Sequence, residues 1–179
     1  MAIRDNRIVS VTPFSFSVRP ARIASGKYAG LQTIKDEEQL ARRLFGDLSA
    51  AQQRKARIGD TSPFNILSYA GRERANAGKV GLAAADMSQA QRDLLWQLVE
   101  VYSVDHLPGA LTAAQRRRVH SGDQAAVHFA WYGPNTQEKS FGYRVIGDGF
   151  VIELMSVDPE AQHLHTIYHD LENVLGRAG

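Results

Sequence analysis

The 179-residue chain contains no cysteine. Disulfides, thiolate metal sites and cysteine nucleophiles are thereby excluded. No apolar run approaches the about eighteen residues of a membrane-spanning helix. The opening "MAIRDNRIVS" lacks an apolar stretch of signal-peptide length. Together these absences predict a cytoplasmic protein made without a leader and with no membrane association. Neither sign of charge dominates: 21 Lys and Arg face 19 Asp and Glu, for a net charge of +2. That balance gives no electrostatic footprint for nucleic acid. There is no G-x-S-x-G nucleophile turn. "NAGKVG" has glycines but lacks the spacing and the Ser/Thr of a phosphate loop.

What is present suits one folded domain spanning 1–179, large enough to bury a core without metal or disulfide. Its hydrophobic content is 44% and its charged content 22%. From Ile8 to Val18, apolar and small polar residues alternate, with Phe14, Phe16 and Val18 on one side. This predicts a strand that Pro13 confines to an edge or breaks. Gly26 and Gly30 mark a loop, after which Asp36 is placed to cap a helix carrying Leu40, Leu44 and Phe45. "SAAQ" at Ser49, "SQAQ" at Ser88 and "TAAQ" at Thr112 each set a hydroxyl three residues before a glutamine, the pattern of a capping box. After Ser88, Leu94, Leu95, Leu98, Val101 and Tyr102 fall at helical spacing, and Pro108 and Gly109 end the run. Residues 60–82 read as loop, the one plausible internal break.

Beyond Gly122 the period changes to two. "AAVHFAWYG", "SFGYRVI", "FVIELM" and "HLHTIYH" alternate in turn, predicting an antiparallel meander of about four strands. The fold class is therefore α+β, an N-terminal strand and helices (helical half about 31–121) followed by the meander (about 122–176). Asp148-Gly149 is a two-residue hairpin turn. Counting outward from it sets Arg144 opposite Glu153. Phe141, Tyr143, Val145, Phe150, Ile152 and Leu154 then form the core face. Arg144, Glu153 and His128 share the other, joined by His163, His165 and His169 if the last strand presents its odd positions there. Two histidines two apart on a strand stand about 6.6 Å apart, close enough for one ion. If 165–175 were helical instead, His165 and His169 would share a face and His163 would point away.

Three readings of this cluster stay open. The first is a metal-dependent enzyme acting on a small molecule or peptide. His163 and His165 would be ligands, His128 or His169 a further ligand, Glu153 a ligand or general base, and Arg144 a clamp for an anionic group. Nitrogen and oxygen donors suit Zn, Fe, Cu or Mn. The second is a non-catalytic module whose polar face holds an anionic ligand, a partner protein or another copy of the chain. The third is metal-free acid–base catalysis by a histidine with Glu153. "QRRRVH" at 115–120 reads as a solvated basic face. Trp131 reads as core, and Tyr132 as able to line a pocket mouth.

Taken in series, "GLAAADMSQAQRDLLWQLVEVY", "VHFAWYGP", "FGYRVIGDGFVIELM" and "HLHTIYHD" with Gly176 resemble the bacterial family catalogued as domain of unknown function 3500. The resemblance runs from about Gly78 to Gly176. It is carried by Phe129-x-Trp131-x-Gly133, Tyr143-Arg144, Ile152-Glu153 and His163-x-His165. It implies a shared fold and a shared polar constellation, and no activity. Family members are generally longer and often exported. They tend to carry Arg-Asp after His-x-His, where this chain has His169 and Asp170.

Overall fold

The structure, a computed structural model, describes residues 2–69, 71–72, 76–107 and 109–176. The predicted N-terminal strand is divided in two at Pro13. β1 (Ala2–Arg4) and β2 (Arg7–Ser10) form a separate hairpin, and β3 (Phe14–Val18) joins the main sheet. Proline has no amide hydrogen to give a ladder, so the chain changes partner there. β3 lies at the edge of the main sheet, as the proline requires, with Phe14, Phe16 and Val18 packed on the core.

The helices follow as α1 (Lys35–Asp47), α2 (Ala50–Ala56), α3 (Gln89–Glu100) and α4 (Gly109–His120). Both Ser49 and Ser88 close complete capping boxes with Gln52 and Gln91. Two other expected caps move. α1 begins at Lys35, so Asp36 sits inside its first turn, favourable to the helix dipole but not a cap. Thr112 lies within α4, which starts three residues earlier. Pro108 falls outside the described residues. After α3 the helix widens to a π-turn over Val101–Asp105 before ending.

The meander is β6 (His128–Tyr132), β7 (Gly142–Ile146), β8 (Phe150–Ser156) and β9 (Leu164–Asp170), all antiparallel. The last segment is thus a strand and not a helix. Two short strands within the helical half escape the sequence reading. β4 (Arg57–Gly59) pairs parallel with β6, and β5 (Leu82–Ala83) pairs antiparallel with it. At two or three residues neither carries enough alternation to register as a period. The sheet order is β3-β9-β8-β7-β6-β4, with β5 off that path.

One face of this sheet packs on the helices. Leu44 and Phe45 of α1 and Leu95, Leu98 and Val99 of α3 meet Phe129, Trp131, Phe141, Tyr143, Ile152 and Leu154. The core also holds a satisfied polar seam. The hydroxyls of Tyr102 and Tyr143 lie 2.7 Å apart, and Tyr143 donates to the Glu37 carbonyl at 3.1 Å. Thr166 Oγ1, 2.9 Å from the Tyr102 hydroxyl, donates to the Glu153 carbonyl at 2.8 Å.

Burial first, and neighbouring acidic or phenolic groups second, push Tyr102, Tyr143 and Tyr168 well above the ordinary phenol range. The folded chain therefore holds these protons more tightly than the unfolded chain. Their stabilisation is full below the ordinary phenol pKa of about 10 and is lost as pH rises above it. Ionisation of these tyrosines is expected to coincide with loss of helical circular dichroism. A phenolate absorbance accounting for all six tyrosines while the dichroism stays native would contradict the seam.

A strap over the polar face and a pair of histidines

The hairpin turn behaves as its residues require. The Gly147 amide donates to the Phe150 carbonyl at 3.0 Å, and Arg144 stands directly across from Glu153. Facing away from the helices, β8 presents Val151, Glu153 and Met155, paired across β9 with His169, Ile167 and His165 in that order.

This second face is not open. Segment 60–80 crosses it as a strap, described over 60–69, 71–72 and 76–80. At one end Ser62 lies against Gly142, where a Cβ would come within 3.0 Å of Ser62 Oγ and 2.6 Å of Met155 Sδ. A side chain at position 142 would therefore lift the strap. At the other end Ala77 packs on Ile146, Val151 and Leu171. Between them the strap is fixed by Glu153. One carboxylate oxygen accepts from the Leu67 and Ser68 amides at 2.6 and 3.0 Å. The other accepts from Ser68 Oγ at 2.9 Å and Arg144 Nε at 2.8 Å. Arg144 Nη2 donates to the Asn76 carbonyl, and Asn76 Nδ2 returns to the Leu67 carbonyl at 2.8 Å. Glu153 is fully buried and Arg144 is 5% exposed.

Glu153 and Arg144 are thus brought together as expected, but their polar atoms are spent on the strap. A carboxylate accepting four hydrogen bonds at zero exposure has no lone pair directed at solvent, so it holds the fold and does not face a ligand. The same holds for Arg144 as an anion clamp. Half-buried Tyr132 lies near this pair, and burial, ahead of any charge, raises its phenol.

The expected histidines divide. His163 immediately precedes β9 and His165 lies within it. Their Nε2 atoms are 3.0 Å apart, with ring centroids 4.7 Å apart at 81°. His165 Nδ1 lies 2.8 Å from Asn65 Oδ1 on the strap, and Ser17 Oγ of β3 lies 3.1 Å from His163 Nε2. The amide oxygen accepts only, so His165 carries its hydrogen on Nδ1 and turns its Nε2 lone pair toward His163. Burial, and then the adjacent His163, lower the His165 pKa.

His169 is buried on the same face opposite Val151. It lies four residue steps along β9 from His165, about 13 Å of extended chain, which is too far to share an ion. His128 lies two strands away from Glu153 along the sheet and turns Nδ1 to the Ala126 carbonyl at 2.9 Å. Among the described residues no group of three or more His, Asp or Glu side chains converges on a common metal position. Of the expected imidazoles among the described residues, His163 and His165 are the two whose Nε2 atoms meet.

Asn65, Ser17, Leu67 and Ser68 complete this arrangement, and none carries a sequence signal. Three sit in an aperiodic loop, and Ser17 is one small polar residue in an alternating strand.

Among the described residues no helix is long and apolar enough to cross a membrane. No curated protein and no solved structure matches the chain. The family model described as protein of unknown function DUF3500 matches residues 1–176, extending the resemblance carried by the later motifs back through the N-terminal strands and α1. With nearly its whole length covered, the chain belongs to this family of proteins of unknown function.

Proposed function

We propose that the chain is a metal-dependent enzyme acting on a small molecule or peptide, with His163 and His165 as the protein ligands of a divalent transition ion. One observation carries this reading: two imidazole Nε2 atoms 3.0 Å apart, one of them oriented by a strap amide at its opposite nitrogen. With metal–nitrogen bonds of about 2.1 Å, two ligands of a tetrahedral ion lie about 3.4 Å apart, so a small separation of the two rings would seat it. A hydrogen bond from the far ring nitrogen to an oxygen acceptor is how ligating imidazoles are held in one tautomer. Imidazole donors favour Zn, Cu or Fe.

Two protein ligands leave coordination positions for water and substrate, and half-exposed flanks on β3 and the strap leave room to reach them. Glu153 and Arg144 act here as positioning residues. They hold Leu67 and Ser68, and with them Asn65, against the sheet.

The test is metal content after purification without an affinity tag and equilibration with Zn(II). About one ion per chain is expected for the wild type, none retained by His163→Ala, and roughly 10–100-fold weaker binding by Asn65→Ala. Equal retention by the wild type and His163→Ala would contradict the proposal. So would no retention by either, the pair then simply sharing a proton.

A further inference from the structure

The two edges of the main sheet are protected unequally. β4, at one end, has three residues, begins with Arg57 and meets β6 with a shift of register. Charge, brevity and irregularity are how natural edges refuse a further strand. β3, at the other end, has none of these. It runs for five residues as "FSFSV", carries no charge and pairs with β9 without a shift.

The hydrogen-bonding parity of β3 follows from its neighbour. The Asp170 amide donates to Thr12 Oγ1, on the β3 side of β9, and the Leu171 amide donates to the Gly149 carbonyl, on the β8 side. Even-numbered residues of β9 therefore bond toward β3, where their partners are Phe14, Phe16 and Val18. The backbone groups of Ser15 and Ser17 point the other way, out of the sheet. Among the described residues no backbone hydrogen bond reaches them from another element. Phe14, Phe16 and Val18 pack on the core yet stay half-buried, and Phe16 also lines a groove with Ile34, Val101 and His106. An added strand would both pair the outward N–H and C=O groups and cover this apolar stripe.

The strand's own residues match a second copy. They alternate apolar residue and serine symmetrically about Phe16. Laid antiparallel on itself about that residue, the strand sets Ser15 opposite Ser17 of the copy on each side of the axis. Those are the residues whose backbone groups point outward, so both pairs exchange hydrogen bonds. Phe16 meets Phe16 in the closer, non-hydrogen-bonded position, Phe14 meets Val18, and the serine hydroxyls meet on the opposite face. Aromatic and hydroxyl pairs across strands are both favourable. Pro13 and Pro20 bound the seam. The contact is self-complementary and closes with two-fold symmetry.

We propose that the chain associates with a second copy of itself through β3, as an antiparallel pair of strands centred on Phe16. Ser17 Oγ lies 3.1 Å from His163 Nε2, so the seam borders the histidine pair, although it requires no ion and does not depend on the metal reading. A five-residue seam is short against the about 800 Å² a side of a standard interface, so a reversible dimer in the micromolar range is expected.

Sedimentation equilibrium across the micromolar range, in the presence of a chelator, tests it on the whole chain. The wild type should show a monomer–dimer equilibrium. Ser15→Pro removes an outward N–H without touching the β9 ladder, and two hydrogen bonds across the axis go with it, so the dimer should weaken about tenfold or more. A second pair of variants reads the register and uses the absence of native cysteine. Phe16→Cys sets two thiols across a non-hydrogen-bonded pair with Cα atoms about 4.5 Å apart, within disulfide reach, and should oxidise to a covalent dimer. Ser15→Cys faces position 17 of the copy and not its own equivalent, so it should cross-link at least about tenfold more slowly. Three results would each overturn the proposal. They are a wild type that stays monomeric, leaving the edge to a foreign strand; a Ser15→Pro chain of native circular dichroism that dimerises as tightly as the wild type; and equal cross-linking of the two cysteine variants. Should Ser15→Pro misfold, the cysteine pair decides.

Discussion

Glu153→Ala is expected to destabilise the chain by about 3–5 kcal/mol, the cost of stranding one member of a buried ion pair. Arg144 has 5% exposure and loses the acceptor of its Nε hydrogen, while the Leu67 and Ser68 amides and the Ser68 hydroxyl lose theirs together. Glu153→Gln keeps the shape and one acceptor oxygen, so a smaller loss is expected. Arg144→Met/Glu153→Leu removes both charges and should recover much of the stability, because apolar replacements of buried pairs are often neutral. It should not restore the strap, whose two amides remain without an acceptor.

Urea unfolding reads the first effect, and hydrogen exchange at the Leu67 and Ser68 amides reads the second. A loss under about 1 kcal/mol in Glu153→Ala, with slow exchange retained, would show that the strap is held by other contacts. The loosened strap also withdraws Asn65 from His165, so ion affinity should fall in Glu153→Ala and in Arg144→Met/Glu153→Leu, even where global stability recovers.

Trp131→Ala is expected to cost about 3–5 kcal/mol by a different route, the loss of a large buried ring. The indole lies at zero exposure, stacked on Phe45 of α1 at 4.7 Å and on Phe141 at 5.4 Å. It joins the first helix to β6, the strand next to the β4 edge of the sheet. Its Nε1 donates to the Gly133 carbonyl at 2.9 Å, and the Arg57 guanidinium donates to that same oxygen. The turn cannot shift to fill the void. Gly133 has φ +76°, and a Cβ there would come within 2.6 Å of the Ser140 carbonyl oxygen. Trp131→Phe keeps most of the stacking and loses the hydrogen bond, so about 1–2 kcal/mol is expected. Chemical unfolding of both variants measures the difference. A loss for Trp131→Ala no greater than for Trp131→Phe would contradict the role given to the ring's volume.

Which parts of this arrangement the sequence displays follows from where its periodicities are long enough. Asp148-Gly149 sets one hairpin register, and the alternation of "FGYRVI" against "FVIELM" puts Arg144 across from Glu153. The same parity places His165 and His169 on one face. Capping chemistry at Ser49 and Ser88 is local and was readable for that reason. It fails at Thr112 and Asp36, where the helix begins earlier than the polar residue suggests.

The strap has no period at all. Its position is decided by Glu153, whose partners are backbone amides eighty-five or so residues away and carry no side-chain signature. Hence the carboxylate was visible as a conspicuous residue on a polar face while its task was not. The spacing of His163 and His165 was visible too, but Asn65, which selects the tautomer, reaches them from that aperiodic segment.

The central claim, that the strap prepares two imidazoles to share one ion, is tested most directly by anomalous scattering at the zinc edge from crystals of the Zn(II)-equilibrated chain. A single peak about 2.0–2.1 Å from both Nε2 atoms of His163 and His165, with Asn65 still bonded to the far nitrogen, is the expected result. A featureless map between the two rings, or zinc bound elsewhere while they remain 3.0 Å apart, would contradict it.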